Sequence, residues 1–205
     1  MKKTDKKTVN TKESILETAL SLFAQYGYEA VSTQQIAMSL DITKGALYKH
    51  YESKQAIFDS ILDRMEKTDA LSALDFNMPM DDEGPCNATI EDLIAYSRAM
   101  FSYWTRDVFA SRFRRMLTIE QYKSERMQSL MRQYLTSGPM EYVESILQRM
   151  GLASAKTLAV EFYAPMFLLY DLEDIGNADA LLDSHFKEIE TKVKDELHNK
   201  TRTAK

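Results

Sequence analysis

Cysteine occurs once in this chain, at Cys86, which excludes an intrachain disulfide and a thiolate-based metal site. Histidine is nearly as scarce: His50, His185 and His198 lie in separate segments, and none forms a ligand pair at helical spacing. There is no phosphate-binding Gly loop and no nucleophile motif. The acidic run Asp81-Asp82-Glu83 lies in a segment without periodicity, where acids are solvated rather than catalytic. The expectation is therefore no catalytic residues, no cofactor and no metal. No stretch approaches the roughly 18 consecutive apolar residues a membrane span needs. The basic start, MKKTDKKTVNTK, is not followed by an apolar signal-peptide core. A cytoplasmic location with no membrane partner is the default. Alternating strand patterns and internal repeats are also missing, which leaves an all-α chain.

What remains is ordinary for a globular protein: 205 residues, 44% hydrophobic and 28% charged, with a net charge of −5. The sum hides an asymmetry. Residues 1–54 carry eight lysines against six acids, a net of +2, so residues 55–205 carry −7. Local charge, not the total, governs contact with phosphates.

With six Gly and four Pro, the breaks between helices are few and legible. A first helix spans about Thr11 to Tyr26, with Ile15, Ala19, Leu22, Phe23 and Tyr26 on one face, and Gly27 closes it. Ser32-x-x-Gln35 is a capping box opening a second helix, whose Ile36, Ala37 and Leu40 face inward. Asp41-Ile42 makes a turn. Thr43 caps a third helix through Tyr51, and Ser53 caps a fourth carrying Ile57, Ile61, Leu62 and Met65. Two helices joined by a tight turn are the sequence form of a helix-turn-helix, which lays its second helix in the major groove of DNA. The division is 1–53 for this unit (helix-turn-helix 32–51, recognition helix about 43–51), 54–74 for a connecting helix, 75–88 for a loop with two Pro and one Gly, and 89–205 for a second domain. In that second domain Thr89 caps a helix and helical patterns continue to about residue 136. Pro139 starts a further helix and Gly151 closes it. Helices at roughly 154–174 and 178–198 are separated by Gly176-Asn177.

Gly27-Tyr28, then STQQIA, then ITKGALYKHYESKQAIF, resembles the DNA-binding domain of the TetR family of bacterial transcriptional regulators. The resemblance covers the first quarter to third of the chain. It departs at Asp41, where the family usually has Gly; Asp is among the few residues that tolerate the left-handed conformation.

A recognition helix reads bases with its N-terminal residues while flanking groups fix the duplex through phosphates. Thr43, Lys44, Gly45 and Ala46 are the groove candidates: Lys44 can donate to guanine, Gly45 admits close approach, and Ala46 can touch a thymine methyl. The resemblance implies Gln34 as a base or phosphate contact and Tyr48 and His50 as backbone contacts. Lys54, at the start of the fourth helix, suits a phosphate. Ser32, Thr33 and Lys49 complete the set. Each has a plainer reading, as cap, solvated charge or structural donor, and Leu47 and Tyr51 read as core. The Lys2–Lys12 tail is either a minor-groove arm or a solubilising tail.

The helix at 154–174 is apolar nearly all round, with Leu158, Phe162, Pro165, Met166 and Leu169 on one stripe and Val160, Tyr163, Phe167 and Tyr170 on another. Pro165 should kink it. The last helix carries Leu182, Phe186, Ile189, Val193 and Leu197. The resemblance implies that these two helices pair with their symmetry mates, giving Val160, Tyr163, Phe167, Tyr170, Leu182, Phe186, Ile189 and Val193 as interface candidates in a homodimer. It also implies a pocket for a small effector, for which Tyr96, Met100, Tyr103, Trp104, Phe113, Met116, Met127, Met131, Tyr134, Phe162 and Met166 are soft apolar candidates. Any helical bundle needs such residues as core. The leading expectation is a dimeric repressor released from a palindromic operator in double-stranded DNA by an unidentified small molecule. The alternative is a helical adaptor, or a DNA-coating protein without operator preference.

Overall fold

The computed structural model describes residues 11–76, 78–79, 87–176 and 178–203. The expectations placed on the tail before Thr11, on Asp81-Asp82-Glu83, on Cys86 and on Asn177 lie outside the described residues. Those residues hold ten α-helices and no strand: α1 (Thr11–Tyr26), α2 (Thr33–Ser39), α3 (Lys44–Tyr48), α4 (Lys54–Asp75), α5 (Ile90–Arg106), α6 (Val108–Glu120), α7 (Glu125–Leu135), α8 (Ser137–Arg149), α9 (Ala155–Asp174) and α10 (Asp179–Thr203). No described helix is long and apolar enough to cross a membrane.

Local chemistry sets most of these boundaries. Ser32, Thr43 and Ser53 each accept from the backbone N–H three residues on, satisfying donors that a helix start leaves orphaned. The Ser32–Gln35 and Thr89–Asp92 capping boxes are both closed. Gly27, Gly151 and Gly176 take positive φ after α1, α8 and α9. Asp41 stands at φ 53°, so the left-handed turn expected there is present without Gly.

The helical run expected from 89 to 136 is three helices. Asp107 ends α5 and starts α6, its Oδ1 accepting from the N–H groups of Phe109 and Ala110 at 2.9 Å each. Ser124 caps α7. These are the same polar caps that mark the N-terminal helices, and an apolar count along the chain passes over them. The helix expected from Pro139 begins two residues earlier, at Ser137. Pro139 still lies in the first turn, where a missing N–H costs nothing. Helix α9 runs through Pro165. Within one turn of it, His185 Nε2 donates to the Phe162 carbonyl at 2.8 Å.

Helix α1 packs on α4 and α6, α8 on α7 and α9, and α5 on α6, α9 and α10. One core results. Ile15, Leu16, Ala19, Leu20 and Phe23 of α1 are buried, whereas Tyr26, expected inward, is 55% exposed on the last turn. Leu182, Phe186, Ile189 and Val193 also depart from expectation. They are buried inside the chain against α9 and α5, with Phe186 packed on Phe162 at 5.3 Å between ring centroids. A stripe serving the monomer core has no face left for a partner.

Candidate DNA-binding surface and interhelical cavity

Helices α2 and α3 are held from beneath by Ile36, Ala37 and Leu47, all fully buried, and by Tyr51, whose hydroxyl donates to the Lys12 carbonyl at 3.4 Å. Everything else on α3 is turned out. Ser32, Gln34, Thr43, Lys44, Gly45, Tyr48, Lys49 and His50 are exposed, and Thr33 and Ala46 are half-buried at the edge of the same face. The Tyr48 hydroxyl lies 3.3 Å from Thr33 Oγ1, and Lys44 Nζ stands 5.6 Å from the Tyr48 ring centre, so the starts of α2 and α3 are tied into one surface. Gly45 is informative. A Cβ built there would meet only Thr43 Oγ1 at 3.9 Å, and its φ is not positive. Glycine inside a helix costs about 1 kcal/mol against alanine. Packing inside the fold does not require a glycine at this exposed position.

Lys54 is placed differently from the other candidates. Its Nζ donates to the Tyr28 carbonyl at 2.8 Å and to the Glu29 carbonyl at 3.4 Å, and stands 4.2 Å from the Tyr28 ring centre. It fastens the chain after α1 to the start of α4. Tyr28 in turn packs edge-on to Phe23 and tilted on Phe58.

The second site is a cavity of about 230 Å³ lined by five helices. Helix α4 contributes Asp69; α5 contributes Leu93, Tyr96, Ser97, Met100 and Trp104; α7 contributes Gln133 and Tyr134. Gly138, Pro139, Tyr142 and Val143 come from α8, and Phe162, Tyr163, Met166 and Tyr170 from α9. Of the expected lining residues, Tyr96, Met100, Trp104, Tyr134, Phe162 and Met166 are present. Tyr103, Phe113, Met116, Met127 and Met131 are not. Tyr103 reaches Met65 instead, Phe113 lies behind Trp104 and Tyr134, and the three methionines are buried in the surrounding core. Tyr163 and Tyr170, expected at a dimer face, point into the cavity wall. Tyr170 stacks on Phe101 at 5.5 Å, and Tyr163 donates to the Leu135 carbonyl at 3.2 Å. Arg114, buried beneath, donates to the Trp104 carbonyl at 3.1 Å and to Asp174 at 2.7 Å, which fixes the end of α5.

Two polar atoms in this lining are buried and without a hydrogen-bond partner: Asp69 Oδ1 and the Tyr134 hydroxyl. Burial, with the nearby Glu66 carboxylate adding to it, pushes the Asp69 carboxyl up to about 7. Burial likewise raises the Tyr96 phenol to about 12 and Tyr134 higher still. Asp69 escaped the sequence reading, yet its signal was present. It falls on the four-residue spacing Ile57, Ile61, Met65, Asp69, Ala73, a lone acid on an otherwise buried stripe.

Residues 15–61 match the family described as bacterial regulatory proteins, tetR family. The A-factor receptor protein of Streptomyces griseus is 42% identical over 62 residues, covering 30% of this chain and 22% of that protein. The regulator AcrR of Shigella flexneri is 35% identical over 65 residues, covering 32% and 30%. IcaR of Staphylococcus aureus, a negative transcriptional regulator of the biofilm operon icaADBC, is 38% identical over 48 residues, covering 23% and 26%. The chain thus spans less than a third of the length of these curated relatives. Likeness of fold extends further. The triclosan complex of SmeT, a Stenotrophomonas maltophilia repressor, aligns over 89% of both chains with a TM-score of 0.61 at 18% identity. The fatty acid degradation regulator FadR of Bacillus halodurans aligns over 92% of this chain and 96% of its own with a TM-score of 0.59 at 14% identity. The N-terminal helices, residues 15–61, are thus matched in sequence by the tetR family of bacterial regulatory proteins, and the helical architecture as a whole is matched in fold.

Proposed function

We propose that this protein is a dimeric repressor of transcription that binds a palindromic operator and is released by a small molecule entering the α4–α9 cavity. The observation that carries the DNA-binding part is the exposed face of α2 and α3. There Lys44, Tyr48 and Thr33 surround a glycine for which the fold has no internal use. Thr43 to Ala46 enter the major groove, and Gln34, Ser32, Thr33, Tyr48, Lys49 and His50 fix the duplex at its edges.

Release works through α4. This one helix begins at the Ser53 cap beside the recognition unit and reaches the cavity at Asp69, about 22 Å along its axis. Its sides are clamped: Arg64 pairs with Glu13 of α1 and covers the Phe109 ring of α6, and Arg126 of α7 pairs with Asp59. A ligand that wedges α5, α8 and α9 apart moves α4 as a rod, and two recognition helices no longer match successive grooves. The effector must bind the released state more tightly, with a coupling of about 1–3 kcal/mol. Pairing of two copies uses the outer stripe of α9, where Val160, Phe167 and Leu168 are exposed.

Selection of the purified protein against random duplexes tests this reading. A palindrome with half-sites about one helical turn apart is the expected product, with affinity falling steeply with salt. Binding without sequence preference supports the coating or adaptor alternative and overturns the operator.

A further inference from the structure

The α4–α9 cavity is aromatic on most sides, but its polar content has one sign. Asp69 is the one carboxylate among its described lining residues, and no Lys or Arg accompanies it. A buried acid normally has a cation or several N–H donors around it. Asp69 Oδ1 has neither. The nearest charge of consequence is Glu66, also acidic, which makes an ionised Asp69 less favourable still. Tyr134 presents a second unpartnered oxygen in the same wall, and its ring is held edge-on to Phe113 at 5.3 Å and to Trp104 at 6.1 Å, so the hydroxyl cannot swing away freely. Trp104, Tyr96 and Tyr170 line the remaining wall and make the rest of it aromatic.

From this we infer that the cavity takes a small lipophilic cation, an aromatic or aliphatic body bearing a protonated amine, with its ammonium N–H groups donated to Asp69 Oδ1 and the Tyr134 oxygen. This assignment rests on the cavity being the effector site proposed above. An anionic ligand, such as a carboxylate with an alkyl chain, would meet Asp69 with no basic residue in the described lining to offset it. A neutral ligand would leave the carboxylate without its counter-charge. The size fits a small molecule, since about 230 Å³ lies below the roughly 300 Å³ at which drug-sized sites begin.

The test uses three probes of one shape: 4-phenylbutylamine, 4-phenylbutan-1-ol and 4-phenylbutyrate. Trp104 is the only tryptophan of the chain and lines the cavity, so its fluorescence reports occupancy directly; calorimetry gives the affinities. At pH 8 the amine binds at least about tenfold more tightly than the alcohol, and the carboxylate binds weakest. In Asp69→Asn the amine falls to the level of the alcohol, a charge-assisted bond having become a neutral one. The ranking by the wild-type protein stands as a test of its own should that variant not fold. Equal binding of amine and alcohol, tightest binding of the carboxylate, or no binding of the amine at millimolar concentration overturns the assignment. The two levels separate in a DNA-release assay. An amine that binds through Asp69 without releasing DNA keeps the ligand class and removes the effector role. DNA released by a neutral or anionic compound in the same cavity keeps the effector role and removes the ligand class.

Discussion

The helix-turn-helix and the cavity treat polar groups in opposite ways. In the first, Ser32, Thr43 and Ser53 spend their hydroxyls on N–H groups three residues away, and Lys54 spends its ammonium on the carbonyls after α1. What is left outward is a fixed surface. In the second, Asp69 and Tyr134 carry buried oxygens with nothing to bind. One region is internally satisfied and presents; the other is unsatisfied and waits. The proposed function, a fixed surface that reads a duplex and a chamber that changes state on filling, calls for these two treatments respectively.

The widest break in that comparison comes from Leu47→Ala. Leu47 is the buried residue of α3, so its loss should cost about 2–5 kcal/mol in urea unfolding and abolish operator binding. Next comes Asp69→Asn. Burial holds the folded carboxyl at about 7 while the unfolded chain titrates near the ordinary value of about 4, so the folded state keeps a proton that the unfolded state has lost. Stability should therefore fall as pH rises from about 4 to about 7 and level off above that. The groups facing Asp69 leave this window clear: Glu66 adds to the shift, and burial keeps the Tyr96, Tyr103, Tyr134 and Tyr170 phenols neutral throughout it. Asn should remove the slope and raise the melting temperature at pH 8, a difference of a few kcal/mol at most. An unchanged pH profile would show that water reaches the carboxylate.

Lys54→Met sharpens the boundary between structural and DNA-facing lysines. It should cost about 1 kcal/mol of stability through the lost carbonyl contacts, with the salt dependence of DNA binding unchanged. Lys44→Ala, by contrast, should flatten that dependence by about one unit. A flattened slope in the Lys54 variant would return that residue to the phosphate contacts. The smallest effect carries the opposite sign. Gly45→Ala should stabilise the fold by about 0.5–1 kcal/mol and weaken operator binding, since the added methyl meets nothing inside the protein. Tighter binding would mean that the groove has room to spare.

Legibility followed the range of the interactions. The starts of α2 to α4 rest on contacts a few residues apart, and caps, the Asp41 turn and the Gly27 stop could be read directly from spelling; the end of α3 could not, since it stops at Tyr48 rather than at the expected Tyr51. Lys54 could not, because its partners lie 25 and 26 residues back. The cavity draws on five helices from Asp69 to Tyr170, and composition alone does not tell a Met that lines it, such as Met100, from one that is core, such as Met116. For α10 the period was read correctly and the partner wrongly. A stripe at Leu182, Phe186, Ile189 and Val193 says that one face is buried, not which surface buries it.

The seam between α1 and α6 limits how this protein can be recombined. Glu120 at the end of α6 is almost wholly buried, is paired with Lys123, and sits where any side chain at position 27 would have to go. Glu13 of α1 reaches Arg64 of α4, which in turn covers the Phe109 ring of α6. A chimera that grafted a foreign reading head at residue 53 would keep Glu120 and Arg64 but lose Glu13 and Gly27, the parts they were shaped around. A graft that carries α6 along with α1 to α4 keeps that seam whole, so the exchangeable cassette is discontinuous in the chain.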